Sequence, residues 1–313
     1  RLAAVALVAV GTLAVTAMSA PSSVAADTER AEASSTNRDS GERSATVIVQ
    51  LEEGGGDHAS RYADVKKRIG EAVAQASPGA TIEDVRDYHH VFEGFAIKVP
   101  ADTMAAIKGV QGVQAVVSDG VREPIVYPEI VGRASDEIDD PSALTHADQA
   151  SERGQGRVIE VIDSGFDTSH EAFSGALDAA SLRVTQADMA ALTTQLGAGR
   201  AGAWVSDKIP FAYDYADADT NVLADYEYGI EDYTRHVHGT RMAGLAAAND
   251  KAYRGAAPQA QLVVAKVVSD SWNVARDSDL LAALDDAMVI RPDTVAVSFM
   301  SDRDISGDAV RLY

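Results

Sequence analysis

The second half of the chain alternates between apolar, strand-like runs and helix-patterned segments, and that alternation leaves few folds open. Val158–Asp163 is unbroken and apolar apart from Glu160. Runs of the same character follow at Lys208–Tyr215, Gln261–Val268 and Thr294–Ser298. Between them, Thr240–Ala248 and Ser278–Val289 carry helical patterning. In the second, Ser278 is placed to cap, and Leu280, Leu281, Leu284, Ala287 and Met288 form one apolar stripe. Strands that alternate with helices predict an α/β fold, a parallel sheet flanked by helices. An extra helix is expected over Gln186–Leu196, opened by Thr185. No internal repeat of roughly 20–50 residues is visible.

Upstream the pattern is different. Leu2–Ala20 is nearly all apolar, and Val24-Ala25-Ala26 supplies small residues of the kind a signal peptidase accepts. Residues 1–26 read as a secretory signal with most of its basic start missing; the alternative is a membrane anchor. Residues 27–44 are rich in Ser, Thr, Glu, Arg and Ala without apolar period, and read as a disordered linker. Residues 45–121 then read as a small α+β unit in the order β-α-β-β-α-β. Val47, Val49 and Leu51 alternate as in a half-buried strand, and Tyr62, Val65, Ile69 and Val73 share a helical face. Residues 122–140 are acidic and Pro-bearing, which suits an exposed connector, and residues 141–313 hold the alternating region.

Charge and cysteine content narrow the chemistry. The formal net charge is −21. That argues against nucleic acid and anionic membrane surfaces as partners, since both are polyanions. There is no cysteine, which excludes disulfides, zinc-thiolate sites and a thiol nucleophile.

Two short strings carry the candidate chemistry. Asp163-Ser164-Gly165 ends the first apolar strand, where functional groups of open α/β sheets gather. Taken alone it is equally a turn carboxylate accepting backbone N–H bonds. His238-Gly239-Thr240 precedes a helix of very small residues, Ala243, Gly244, Ala246, Ala247 and Ala248, which can lie deep against a sheet. That placement puts His238 at a helix start near the sheet edge; alone it is equally a surface histidine. His236 competes with it but lacks the following glycine, and reads as a loop histidine.

In order, the strings say more. Gly154-Gln155-Gly156 leads into the strand and Asp-Ser-Gly. His238-Gly239-Thr240 with Ala243-Gly244 follows, then Arg254-Gly255-Ala256-Ala257-Pro258-Gln259-Ala260-Gln261-Leu262 and a strand ending Lys266-Val267. Over most of 154–302 this resembles the subtilisin-like serine protease family. The inserted helix and Val205–Tyr215 are most similar to its lactocepin and C5a-peptidase branch. Phe92-Glu93-Gly94-Phe95-Ala96 resembles a segment of subtilisin propeptides, so 45–121 is expected to be a propeptide that templates and inhibits the protease.

The resemblance implies an exported serine endopeptidase precursor, secreted or cell-wall associated, acting on extracellular polypeptides. Its partners would be those substrates and its own propeptide, with no membrane contact beyond export and maturation within the connector. A serine hydroxyl is a poor nucleophile at neutral pH, so a histidine must take its proton, and a carboxylate must hold that histidine in one tautomer. The resemblance gives these roles to His238 and Asp163, and expects the serine and an oxyanion asparagine beyond Tyr313. It places Ser298, Phe299 and Met300 along the substrate. No cofactor is implied for catalysis. A structural calcium is left without support, because Ala172 stands where many members carry an aspartate. The acidic runs Asp217–Asp219 and Glu231-Asp232 read as solvated loops. The chain departs from the pattern at Ala296, Met300, Arg241 and Arg291-Pro292-Asp293, which keeps open a binding protein of the same fold without activity. A nucleotide-binding doubly wound domain is the third reading; no G-x-G-x-x-G or G-x-x-x-x-G-K string follows a strand to support it.

Overall fold

The computed structural model describes residues 44–54, 58–122, 149–197, 200–224, 233–251 and 254–298, with the side chains of 58 and 233–237 excepted. The expected signal and linker, most of the connector, and Phe299 and Met300 lie outside the described residues.

The first unit contains β1 (Ser44–Leu51), α1 (His58–Ala76), β2 (Glu83–Tyr88), β3 (Gly94–Pro100), α2 (Met104–Lys108) and β4 (Val113–Ser118). Its strands form one antiparallel sheet in the order β2-β3-β1-β4. Alternation in β1 explains the packing. Val47, Val49 and Leu51 face α1 and join Val65, Ile69 and Val73 in one core. Ile48, on the opposite face, belongs with Tyr88, Ala96 and Val117 to a second core shared with the following unit. Both faces of this sheet are therefore covered.

The second unit contains β6 (Val158–Asp163), α3 (Met189–Gln195), β7 (Phe211–Asp214), α4 (Tyr233–Ala247), β8 (Gln261–Lys266), α5 (Asp277–Ile290) and β10 (Thr294–Val297). Its parallel sheet has the order β10-β6-β8-β7, as the α/β reading expects. Period-two alternation in β6 sorts the helices to opposite faces. Val161 packs with Ala243 and Ala247 of α4, whereas Val158 and Ile162 pack with Leu281 and Ala282 of α5. Two short strands, β5 (Val121–Arg122) and β9 (Ala275–Arg276), pair antiparallel and tie the units together.

Two details correct the sequence reading. Helix α4 begins at Tyr233, so His238 lies inside the helix rather than at its start. Ser278 does not cap α5. Its N–H and hydroxyl donate to Asp119 at 2.9 and 2.8 Å, so the carboxylate for this helix N-terminus comes from the first unit. Asp217–Asp219 lie in an exposed turn, as the sequence reading expects, although Asp217 also makes the contacts described below.

Helix α5 is the main seam between the units, and aspartates carry it. Asp285 accepts N–H bonds from His89, His90 and Val91 at 3.0, 2.6 and 2.9 Å. Asp279 pairs with Arg86 at 2.7 Å, Asp277 pairs with Arg122, and the Tyr88 hydroxyl donates to the Ser278 carbonyl. The neighbouring Asp286 faces inward instead. It holds Arg200 through two contacts of 2.7 and 2.9 Å and accepts from the Tyr215 hydroxyl at 3.0 Å.

Glu160 is the exception to this pairing. It is fully buried in β6, and neither carboxylate oxygen has a hydrogen-bond partner. Burial, with a smaller contribution from the Asp286 carboxylate, pushes its pKa well above the usual range. The folded state therefore binds a proton that the unfolded state releases above about pH 4.3. Stability is lost as pH rises from there toward the folded-state pKa, by about 1.4 kcal/mol per pH unit. Glu160→Gln, which is permanently neutral, should melt higher than wild type by a margin that widens with pH. A margin independent of pH would show that Glu160 is not held protonated.

Candidate active site

The C-terminal end of β6 delivers Asp163 to the place where the parallel sheet opens. Its side chain is completely buried, and its Oδ1 accepts from the Ser164 N–H at 2.6 Å and the Ser164 hydroxyl at 3.0 Å. The Asp163 carbonyl accepts from Val267 N–H, which locks the strand end to β8. From α4, His238 directs Nδ1 at the same carboxylate, 2.8 Å from Oδ1 and 3.0 Å from Oδ2. A carboxylate accepts, so Nδ1 carries the proton and Nε2 keeps its lone pair. The His238 side chain is one-third exposed.

Gly239 makes this approach possible. A Cβ there would lie 2.2 Å from the Gly165 carbonyl oxygen and 3.1 Å from the Asp163 Cβ. Helix α4 can thus sit against the turn after β6 only without a side chain at 239. Thr240 reinforces the contact, its hydroxyl accepting from the Asp167 N–H at 2.8 Å.

The hydrogen bond to Asp163 is the main cause that raises the His238 pKa above the ordinary imidazole value, with the Asp163 charge adding to it; burial and the Arg241 charge oppose. This arrangement presents an oriented, one-third exposed imidazole whose Nε2 is left outside the Asp163 contact, backed by a buried carboxylate. Chemically that is a proton acceptor that can become an imidazolium without losing its partner.

Residues 154–305 match the subtilase family, and residues 46–124 match the peptidase inhibitor I9 family. The second half of this chain is thus similar to the subtilase family. A PI-type proteinase of Lactococcus lactis subsp. cremoris is 28% identical over 260 residues, which are 78% of this chain and 13% of that protein. A C5a peptidase of Streptococcus pyogenes serotype M6 is 31% identical over 133 residues, covering 42% of this chain and 11% of that one. Among solved structures, the epidermin leader peptide processing serine protease of Staphylococcus aureus aligns at a TM-score of 0.45 and 11% identity, over 82% of this chain and 49% of that one. The chain spans about an eighth of the length of the lactococcal relative.

Within this subtilase-like region the structure brings Asp163 and His238 together. Ser298 follows β10, and its N–H donates to the Ile162 carbonyl at 3.3 Å. Phe299, Met300 and the His236 side chain lie outside the described residues. Ala172 is buried in the short 171–173 turn, where its carbonyl accepts from Asn249 N–H.

One feature of the site was absent from the sequence reading. Lys266 at the end of β8 is wholly buried and lies beside Asp163 in the sheet register. Its ammonium contacts Asp214 at 2.5 Å, Asp270 at 3.1 Å and Asp217 at 3.4 Å. These three carboxylates converge as metal ligands would, but a lysine fills their centre. Asp217 also accepts from the Ser269 hydroxyl and Asp270 N–H, both at 2.8 Å, fastening the turn that leads to β9. Burial lifts the Asp214 carboxyl to about 6 even beside this ammonium. A cationic residue at the end of an apolar strand, followed by an acidic turn, was the available signal.

Proposed function

We propose that this protein is the precursor of an exported serine endopeptidase that cleaves extracellular polypeptides by acyl transfer. In this reading His238 is the general base and then the general acid, and Asp163 fixes its tautomer and stabilises the imidazolium. The observation that carries the reading is the contact of Nδ1 with the buried Asp163 carboxylate, at 2.8 and 3.0 Å, in a region similar to the subtilase family. The reaction also requires a serine and an oxyanion donor. No Gly-Thr-Ser-Met-Ala string occurs in residues 1–313, so the reading needs both from sequence beyond Tyr313.

The I9-type domain supports an intramolecular inhibitor role. Its last strand, β5, pairs antiparallel with β9, through main-chain hydrogen bonds of the kind an extended polypeptide can also make. Export rests on the apolar residues 2–20 and the small residues at 24–26.

The test is covalent labelling. Full-length protein, extended to include the serine, is expected to react with a serine-directed fluorophosphonate, and His238→Ala is expected to abolish the reaction. Residues 1–313 alone should neither label nor turn over substrate. Full-length protein that stays unlabelled while binding polypeptides would make it an inactive binder of the same fold.

A further inference from the structure

His238 faces two opposed demands. Its bond to Asp163 stabilises the imidazolium, which helps the transition state of acyl transfer. The same bond favours protonation before the reaction, and a protonated imidazole cannot accept a proton from a serine. A base that works near neutral pH needs a counterweight.

The helix supplies one. Arg241 follows His238 by three residues on α4, and side chains at that spacing are neighbours on the same helical face. It is exposed at the helix surface, where an arginine stays charged at every relevant pH. Among the described residues, the charges that bear on His238 are the Asp163 carboxylate, from β6, and the Arg241 guanidinium, from its own helix. They have opposite sign, and their effects on the imidazole oppose.

We propose that Arg241 is a positioning residue that acts through His238, holding the imidazole toward the neutral form that can accept a proton. The inference rests on the assignment of His238 as the base. A like charge about 6 Å away through water lowers the proton affinity of an imidazole by about half a pH unit, and salt reduces this to a few tenths. The effect is small in energy yet acts directly on the group that must accept the proton. Arg241 would thereby extend activity toward acid pH while leaving the alkaline plateau nearly unchanged.

The experiment reads His238 directly. Deuterium exchange at its imidazole C2, followed by mass spectrometry from about pH 5 to about pH 9, gives the midpoint without requiring turnover. In the full-length protein, Arg241→Gln is expected to raise the midpoint by about 0.3–0.5 pH unit. Arg241→Lys should leave it in place, Arg241→Glu should raise it further, and about 1 M salt should shrink the differences. In the active enzyme the acid limb of kcat/KM should move by the same amounts. An unchanged or lowered midpoint in Arg241→Gln, or equal midpoints in the Gln and Lys variants, would overturn the proposal. Lack of turnover in wild type would count against the endopeptidase reading alone, since the exchange midpoints remain readable.

Discussion

Asp163→Asn in the full-length protein is expected to lower kcat about 10⁴-fold with little change in KM. The substitution keeps the shape of a fully buried side chain, so the fold should survive it. What changes is the chemistry at Oδ1 and Oδ2. Both oxygens now lie within 3.0 Å of Nδ1, and both only accept. An amide has one oxygen and one NH2. Ser164 already donates twice to Oδ1, which favours keeping the amide oxygen there and leaves NH2 at the second position. That NH2 would favour the imidazole tautomer with the lone pair on Nδ1, turning the proton-bearing nitrogen toward the substrate and removing the base. His238→Ala should cost as much, and the double variant hardly more, because the residues act as one unit. A loss below tenfold, with folding intact, would remove Asp163 from the mechanism.

Lys266→Met is expected to reduce stability by about 3–5 kcal/mol at pH 8, the loss typical when one member of a buried ion pair is removed. Methionine matches the volume of the lysine stem, so packing is largely retained. Left behind are a buried Asp214 and two half-buried carboxylates aimed at the same point. Proton uptake relieves that penalty. Asp214 already titrates near 6 with its cation present, and losing the cation moves it higher. At pH 5 the variant should therefore recover much of its deficit, and Asp214→Leu added to Lys266→Met should recover part of it at pH 8. Chemical denaturation at the two pH values checks both expectations. Equal losses at pH 5 and pH 8 would mean that packing, not charge, accounts for the effect.

The legible parts of this chain were those written in periodicity. The alternation Val47, Val49, Leu51 and the stripe Val65, Ile69, Val73 gave the first core, and the apolar run ending at Asp163 located the parallel sheet. Asp163 and His238 were marked by the resemblance of their strings, taken in order, to the subtilisin-like family; periodicity alone left each equally a turn carboxylate or a surface histidine. The seam between the units was not. Ser278 has the local signature of a helix cap, but Asp119, 159 residues earlier, supplies the accepting carboxylate. Local propensity cannot anticipate a long-range partner that arrives only when two units dock. Charged residues in apolar segments gave no readable signal of their partners for the same reason. Glu160, Lys266 and the Asp285-Asp286 pair look like interruptions, yet all are buried, and their neighbours come from distant parts of the chain. Helix α4 extends upstream of His238 through Tyr233, where a run of polar residues gives no apolar stripe to read.

The way Asp285 holds the first unit has a consequence for how freely that unit can diverge in sequence. The three groups it accepts from are main-chain N–H of residues 89–91, not side chains. Any amino acid except proline presents the same N–H, and the side chains of His89 and His90 are exposed. Positions 89 and 90 can therefore change in composition while the grip of Asp285 on this turn stays constant.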